Sequence, residues 1–271
     1  MMHMQIIFPH IELHSIESSF ENMPHYHEEH YQITVPLRGS CHFVHENRKL
    51  ALAAGDGLVL NPQDRHSFHL GPEDKVIIFK INDHSLHPSN ALNPPELEQR
   101  YRFNPSELSV FLQQWTSSLF TVEPSDRLEM EEKEGQMLEY VHRLIWGSGQ
   151  LEKETAGKGA CTGKDGDGHL HRVLDYIHAH YIDQVSIDEL AAVALQSRFH
   201  FIRSFKSLTG MTPYQYVLRL RMEEARKQLR YSSVTITEIS FGLGFSSTSQ
   251  FYRVFMKSTG VTPEQYRLQT H

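Results

Sequence analysis

The chain has 271 residues, 39% of them hydrophobic and 22% charged, with a formal net charge of -7, enough for one large or two ordinary globular domains. No apolar run reaches the roughly 18 residues a membrane-spanning helix needs, and the opening MMHMQIIFPH lacks a basic segment followed by a long apolar stretch, so no secretory leader is expected. Two cysteines, Cys41 and Cys161, are too few for a disulfide scaffold and suit a reducing, cytoplasmic setting.

The charge is unevenly spread. Residues 1–146 carry 11 Lys and Arg against 21 Asp and Glu, a net of -10, whereas residues 170–271 carry 12 against 8, a net of +4. An acidic front and a basic tail suggest that the tail meets nucleic acid.

In chain order, Tyr31–Leu37, Ser40–His45, Leu58–Leu60, Ser67–Leu70 and Val76–Ile81 are rich in Val, Ile, Phe and Tyr and are separated by turn signals such as Gly55-Asp56-Gly57. Short, closely spaced strands predict a small barrel or sandwich over about residues 1–90. Two helices follow, Pro105–Leu119 and about Asp126–Trp146, a helical extension over residues 91–146. The second places Leu128, Met137, Leu138, Val141, Leu144 and Ile145 on one face. Glu129, Glu131, Glu132 and Glu134 lead it, as suits a helix start. Two partners are open for that face, the chain's own barrel or a second copy in a homodimer. Residues 147–168, GSGQLEKETAGKGACTGKDGDG, read as a flexible linker.

The tail, residues 169–271, contains a repeat of itself. Ten of the twenty residues 197–216 recur at an offset of 50, among them Ser197/Ser247, Phe201/Phe251, Arg203/Arg253, Phe205/Phe255, Gly210/Gly260 and Pro213/Pro263. Each unit reads as helix, turn, helix. Ser186 and Ser197 are N-cap candidates. Phe201, Phe205 and Leu208 fall on one buried stripe of the second helix, and Phe251, Val254 and Phe255 on its counterpart. Arg198, Phe199, Ile202, Arg203 and Lys206 then face outward in the first unit, and Thr248, Ser249, Tyr252 and Arg253 in the second. Arginines beside exposed apolar groups suit a helix in a major groove, reading guanine and thymine methyls; packing within the domain is the alternative for each aromatic.

Each unit closes on Thr-Gly-x-Thr-Pro-x-Gln, in which Thr212 and Thr262 are N-caps, Pro213 and Pro263 open a helix, and Gln215 and Gln265 complete a capping box. The helix after Thr212 runs to about Tyr231, a rod of roughly 27 Å able to space two recognition helices near one turn of DNA. Arg219, Arg221, Arg226, Lys227 and Arg230 decorate it as candidate phosphate contacts.

Over residues 170–268 the chain resembles the AraC/XylS family of bacterial regulators. The resemblance rests on Ile187-Asp-Glu-Leu-Ala191, Ser197 through Lys206 (SRFHFIRSFK), Gly210, Tyr216, Arg221, Ala225, Ile239, Gly244-Phe245, Phe251 through Phe255 (FYRVF), Gly260-Val-Thr-Pro263 and Tyr266-Arg267. It implies that both helix-turn-helix units address adjacent major-groove segments of promoter or operator DNA, with RNA polymerase as a further partner and activation as the usual outcome. It carries DNA contact onto Arg198, Phe199, Ile202, Arg203, Thr248, Ser249, Tyr252 and Arg253. Ser240 and Met256 depart from the family pattern, where alanine and lysine are usual.

In the front region, His25-Tyr-His27 and the later Pro62-Gln-Asp-Arg-His66 resemble the cupin barrel that fronts many such regulators. The implied fold class is two-domain α+β: a cupin-like β-barrel with following helices, then an all-α domain of two helix-turn-helix units joined by a long helix. His25, His27, Tyr31, Gln32 and His66 are the candidate contacts to a small polar effector such as a sugar. Metal-binding cupins use three histidines and a carboxylate; here Gln32 stands where the carboxylate is expected. His25, His27 and His66 are therefore read as pocket wall, with no cofactor and no enzymatic role. A metal-dependent cupin enzyme fused to a DNA-binding tail is the alternative.

Overall fold

The computed structural model describes residues 2–82, 97–124, 126–156 and 165–270. They form two compact units: residues 1–118 with 136–153, and residues 119–135 with 154–271.

The first unit holds ten strands. They are β1 (Met2–Ile7), β2 (Ile11–Glu17), β3 (Phe20–Glu21), β4 (His30–Arg38), β5 (Ser40–His45), β6 (Arg48–Ala53), β7 (Asp56–Leu60), β8 (His66–Leu70), β9 (Lys75–Asn82) and β10 (Arg100–Arg102). The five predicted strands all form. They make two antiparallel sheets, ordered β1-β2-β9-β4-β7-β10 and β3-β8-β5-β6, each open at both ends among the described residues instead of one closed barrel. The chain leaves the first sheet for the second at Gly39. The β4/β9 register shifts between Pro36 and Arg38, and Gly39 takes φ +71°, a left-handed conformation that glycine adopts without steric cost. Both sheets contribute to one apolar core, with Ile16, Leu58, Val76 and Ile78 from the first and Cys41, Phe43, Leu52, Phe68 and Leu70 from the second.

The helices are α1 (Pro105–Leu119), α2 (Arg127–Ala156), α3 (Asp165–His180), α4 (Ile187–Val193), α5 (Arg198–Thr209), α6 (Pro213–Tyr231), α7 (Ile236–Gly242), α8 (Thr248–Thr259) and α9 (Pro263–Thr270). Helix α2 runs ten residues past the expected end at Trp146, into the stretch expected to be linker, and α3 begins at Asp165; residues 157–164 of that stretch lie outside the described residues. The first turns of α2, up to Gly135, belong to the second unit, together with α3 to α9.

The second unit has two cores that match the sequence repeat. Ile187, Leu190, Ala191, Phe201, Phe205 and Val217 lie in one, and Ile239, Leu243, Phe251, Phe255, Met222 and Leu229 in the other. Helix α6 contributes to both.

Candidate DNA interface and ligand pocket

The two helix-turn-helix modules are built by the same local chemistry. Ser186 and Thr235 cap α4 and α7 in capping boxes closed by Glu189 and Glu238, satisfying amides that a helix start leaves unpaired. Ser197 and Ser247 cap α5 and α8 by accepting the amides of His200 and Gln250. Gly210 and Gly260 end those helices at φ +73° and +78°. Thr212 with Gln215 and Thr262 with Gln265 then restart the chain as α6 and α9, with a proline at the first helical position.

On the expected reading faces, Lys206, Ser249 and Arg253 are exposed, and Arg203, Thr248 and Tyr252 are half-buried. The Tyr252 hydroxyl donates to Glu264. Burial, then that carboxylate, pushes the phenol up to about 12. The side chain of Phe199 lies outside what is described.

Four expectations are corrected. Ile202 does not face outward but is 8% exposed within the first module's core, which also takes in Leu128. Leu208, expected on the buried stripe, is 59% exposed. Arg198 is half-buried and forms an ion pair with Glu134 at 3.0 Å. Arg221, expected to decorate the rod, is buried. It donates to the carbonyls of Tyr181 (2.6 Å), Asp183 (2.9 Å) and Gly244 (2.9 Å), tying α6 to the segment after α3 and to the turn of the second module. Sequence reasoning missed Gln250. This buried side chain accepts from the Ser246 amide at 3.0 Å and donates to Asp126. Its only signal was a polar residue beside the buried Phe251.

In the first unit, the predicted pocket histidines converge. The rings of His25, His27 and His66 lie 4.4 to 5.3 Å apart. His25 and His66 exchange backbone hydrogen bonds at 2.9 and 2.8 Å, which brings the loop before β4 against β8. Nδ1 of His66 donates to the Asp64 carbonyl at 2.9 Å and Nδ1 of His25 to the Met23 carbonyl at 3.0 Å. A carbonyl only accepts, so the neutral His66 ring carries its proton on Nδ1 and presents Nε2 as a lone pair. Nε2 of His66 is buried without a hydrogen-bond partner. His27 Nε2 donates to Gln32 Oε1 at 3.1 Å, and the Gln32 amide donates onward to Thr34 at 3.0 Å. Burial first, then the positive charge of Lys80, lowers His27 to about 4. Burial also lowers His66 to about 4, against the Asp64 carbonyl. Both rings are therefore neutral near pH 7. Successive side chains on a strand alternate, so Tyr31 falls on the opposite face of β4 from Gln32.

One ligand atom from each of His25, His27 and His66 lies within 4.8 Å of the others. The donor set is three imidazoles with an amide in place of a carboxylate, and Nε2 of His27 is already engaged by Gln32. A second group of that kind, His45, Glu46 and Asp64, uses its carboxylates locally: Asp64 accepts the Asn61 amide and Glu46 the Arg65 amide.

Two family profiles match the chain: a helix-turn-helix domain over residues 190–269 and an AraC-like ligand binding domain over residues 8–88. Among curated relatives, the chain is 27% identical over 251 residues to the HTH-type transcriptional activator RhaS of Yersinia pseudotuberculosis, covering 89% of this chain and 86% of that protein. It is 27% identical over 234 residues to YobQ of Bacillus subtilis, an uncharacterized HTH-type transcriptional regulator, covering 86% and 84%. Among solved structures, the DNA-binding domain of AdpA in complex with a target DNA is 32% identical, covering 37% of this chain and 90% of that one, with a TM-score of 0.36.

Proposed function

Because the chain belongs to the AraC family of transcription regulators, with an AraC-like ligand-binding domain ahead of an AraC-type helix-turn-helix domain, we propose that it is an effector-responsive activator. In this reading it has no enzymatic role, acts as a homodimer in the cytoplasm at promoter DNA, and meets RNA polymerase there. The observation that carries the DNA side is the repeat of two capped modules with Lys206, Ser249 and Arg253 exposed on the outer helices. Arg203, Lys206, Thr248, Ser249, Tyr252 and Arg253 form the reading set. Arg198 and Ile202 join it once the residues now covering them withdraw.

The domain reading is a cupin-like sensor over residues 1–90, a helical extension that includes a dimer contact and runs on to the end of α2, a linker reduced from the expected 147–168 to the stretch between α2 and α3, and the DNA-binding domain after it. The effector is a small polyhydroxylated molecule such as a sugar. Its support is the Nε2 lone pair of His66, buried without a hydrogen-bond partner, which matches a hydroxyl donor. His25, His27 and His66 are read as ligand contacts, not metal ligands, since Gln32 supplies no negative charge.

A thermal-shift screen against sugars and organic acids tests the sensor. A true effector at about one hundred times its Kd stabilises by roughly 2.7 kcal/mol. His66→Ala abolishes that gain if the histidine accepts from the ligand. An effector that still stabilises the His66→Ala protein removes the residue from the pocket. Elemental analysis showing a stoichiometric transition metal would overturn the metal-free reading.

A further inference from the structure

The acidic turn that opens α2 does not face solvent. Residues 126–135 hold five carboxylates, Asp126, Glu129, Glu131, Glu132 and Glu134, against Arg127 and Lys133. Within the second unit this segment lies on both DNA-reading modules. In the first module, Glu131 Oε2 accepts the Ile187 amide at 2.6 Å, and its carbonyl accepts from Arg198 at 3.4 Å. Glu134, 1% exposed, pairs with Arg198, whose guanidinium also reaches Asp188 at 3.6 Å. Gly135 is packed so closely on α5 that a Cβ there would stand 2.7 Å from Cδ1 of Ile202. In the second module, Asp126 accepts from Gln250 on α8, and the Arg253 charge acts on Glu129.

We propose that residues 126–135 are an internal competitor for DNA: their carboxylates stand where phosphates would, and their backbone covers Ile202 and Arg198, so a duplex docks only after the segment leaves. The proposal rests on the DNA-binding reading above. Its physical basis is mutual exclusion. An arginine that pairs with a carboxylate is equally suited to a phosphate, and both anions cannot occupy one place. Burial raises the Glu129 and Glu132 carboxyls, against the hydrogen bonds they share with Tyr214 and Thr212, so seating the segment carries a desolvation cost that its release returns. While it is seated, the observed DNA affinity falls by the fraction of molecules in the open state.

The test is a titration of the full chain at low salt with random-sequence duplexes of roughly 30 base pairs, about three helical turns. The unchanged protein is compared with two variants that unseat the segment by different means. Glu131→Gln with Glu134→Gln removes the charges, and Gly135→Val drives a side chain into Ile202. Both are expected to bind roughly tenfold tighter than the unchanged chain. Hydrogen exchange on the unchanged chain supplies a readout that no folding defect disturbs: amides of residues 126–135 should exchange faster when duplex is added. Variants that bind no tighter, or exchange that slows or stays the same, overturn the competitor while leaving the DNA-binding reading standing. No binding by any of the three proteins contradicts the DNA-binding reading itself.

Discussion

Arg221 shows what a single side chain does in the tail. A buried guanidinium donating to three carbonyls from two loops organises both modules around α6. Arg221→Met keeps the stem and strands those acceptors, at a cost of about 3 kcal/mol, read as a lower calorimetric midpoint of the tail transition. An unchanged midpoint would show the loops held by other means. The residue was misread because its charge outweighed its period. It lies midway between the buried Val217 and Ala225, one turn from each, on the inward face of α6. The pocket histidines behave differently. Folding lowers His27 and His66 to about 4, so their contribution to stability is present above their ordinary value near 6.5 and is lost as pH falls toward 4. The front domain should therefore melt at progressively lower temperature from pH 6.5 to 4.5, and His66→Phe should flatten that slope. An equal slope in both proteins would place the acid sensitivity elsewhere.

Helix boundaries in the tail were legible because each is decided by residues within four positions of one another. Ser, Thr, Gly and Pro at cap positions do their work locally, and the structure places Thr212, Gln215 and Gly210 as the repeat predicts. A Cβ on Gly210 or Gly260 meets no atom within 4 Å, so alanine at either site costs only backbone strain, about 1 kcal/mol. Equal losses from Gly210→Ala and Gly260→Ala in denaturant unfolding would reflect the equivalence of the modules. A loss several-fold larger at one site would mean its turn carries a further contact. What spacing did not disclose was long-range. Ile202 is buried and Leu208 exposed, opposite to the expected stripe, and Ile202 shares its core with Leu128, far upstream in sequence. The front strands were likewise recognised one by one. Their division into two sheets depends on the bulge at Pro36–Arg38 and on which distant strands pair.

At the scale of the molecule, the acidic front and basic tail read from composition take on a structural meaning: residues 119–135 bring a net charge of -4 to a tail whose residues 170–271 carry +4. On the competitor proposal the tail's positive charge is balanced within its own unit, and DNA affinity depends on the state of one short segment. The central claim is that two near-copies of one module read adjacent stretches of the same duplex. Quantitative footprinting of the full chain on an operator selected from random duplex DNA tests it most directly. The account predicts two protected major-groove patches about one helical turn apart. Arg203→Ala should weaken binding tenfold or more with loss of one patch, and Arg253→Ala should do the same at the other, on the order of 1–3 kcal/mol each. A single patch, or two patches untouched by both substitutions, would contradict it.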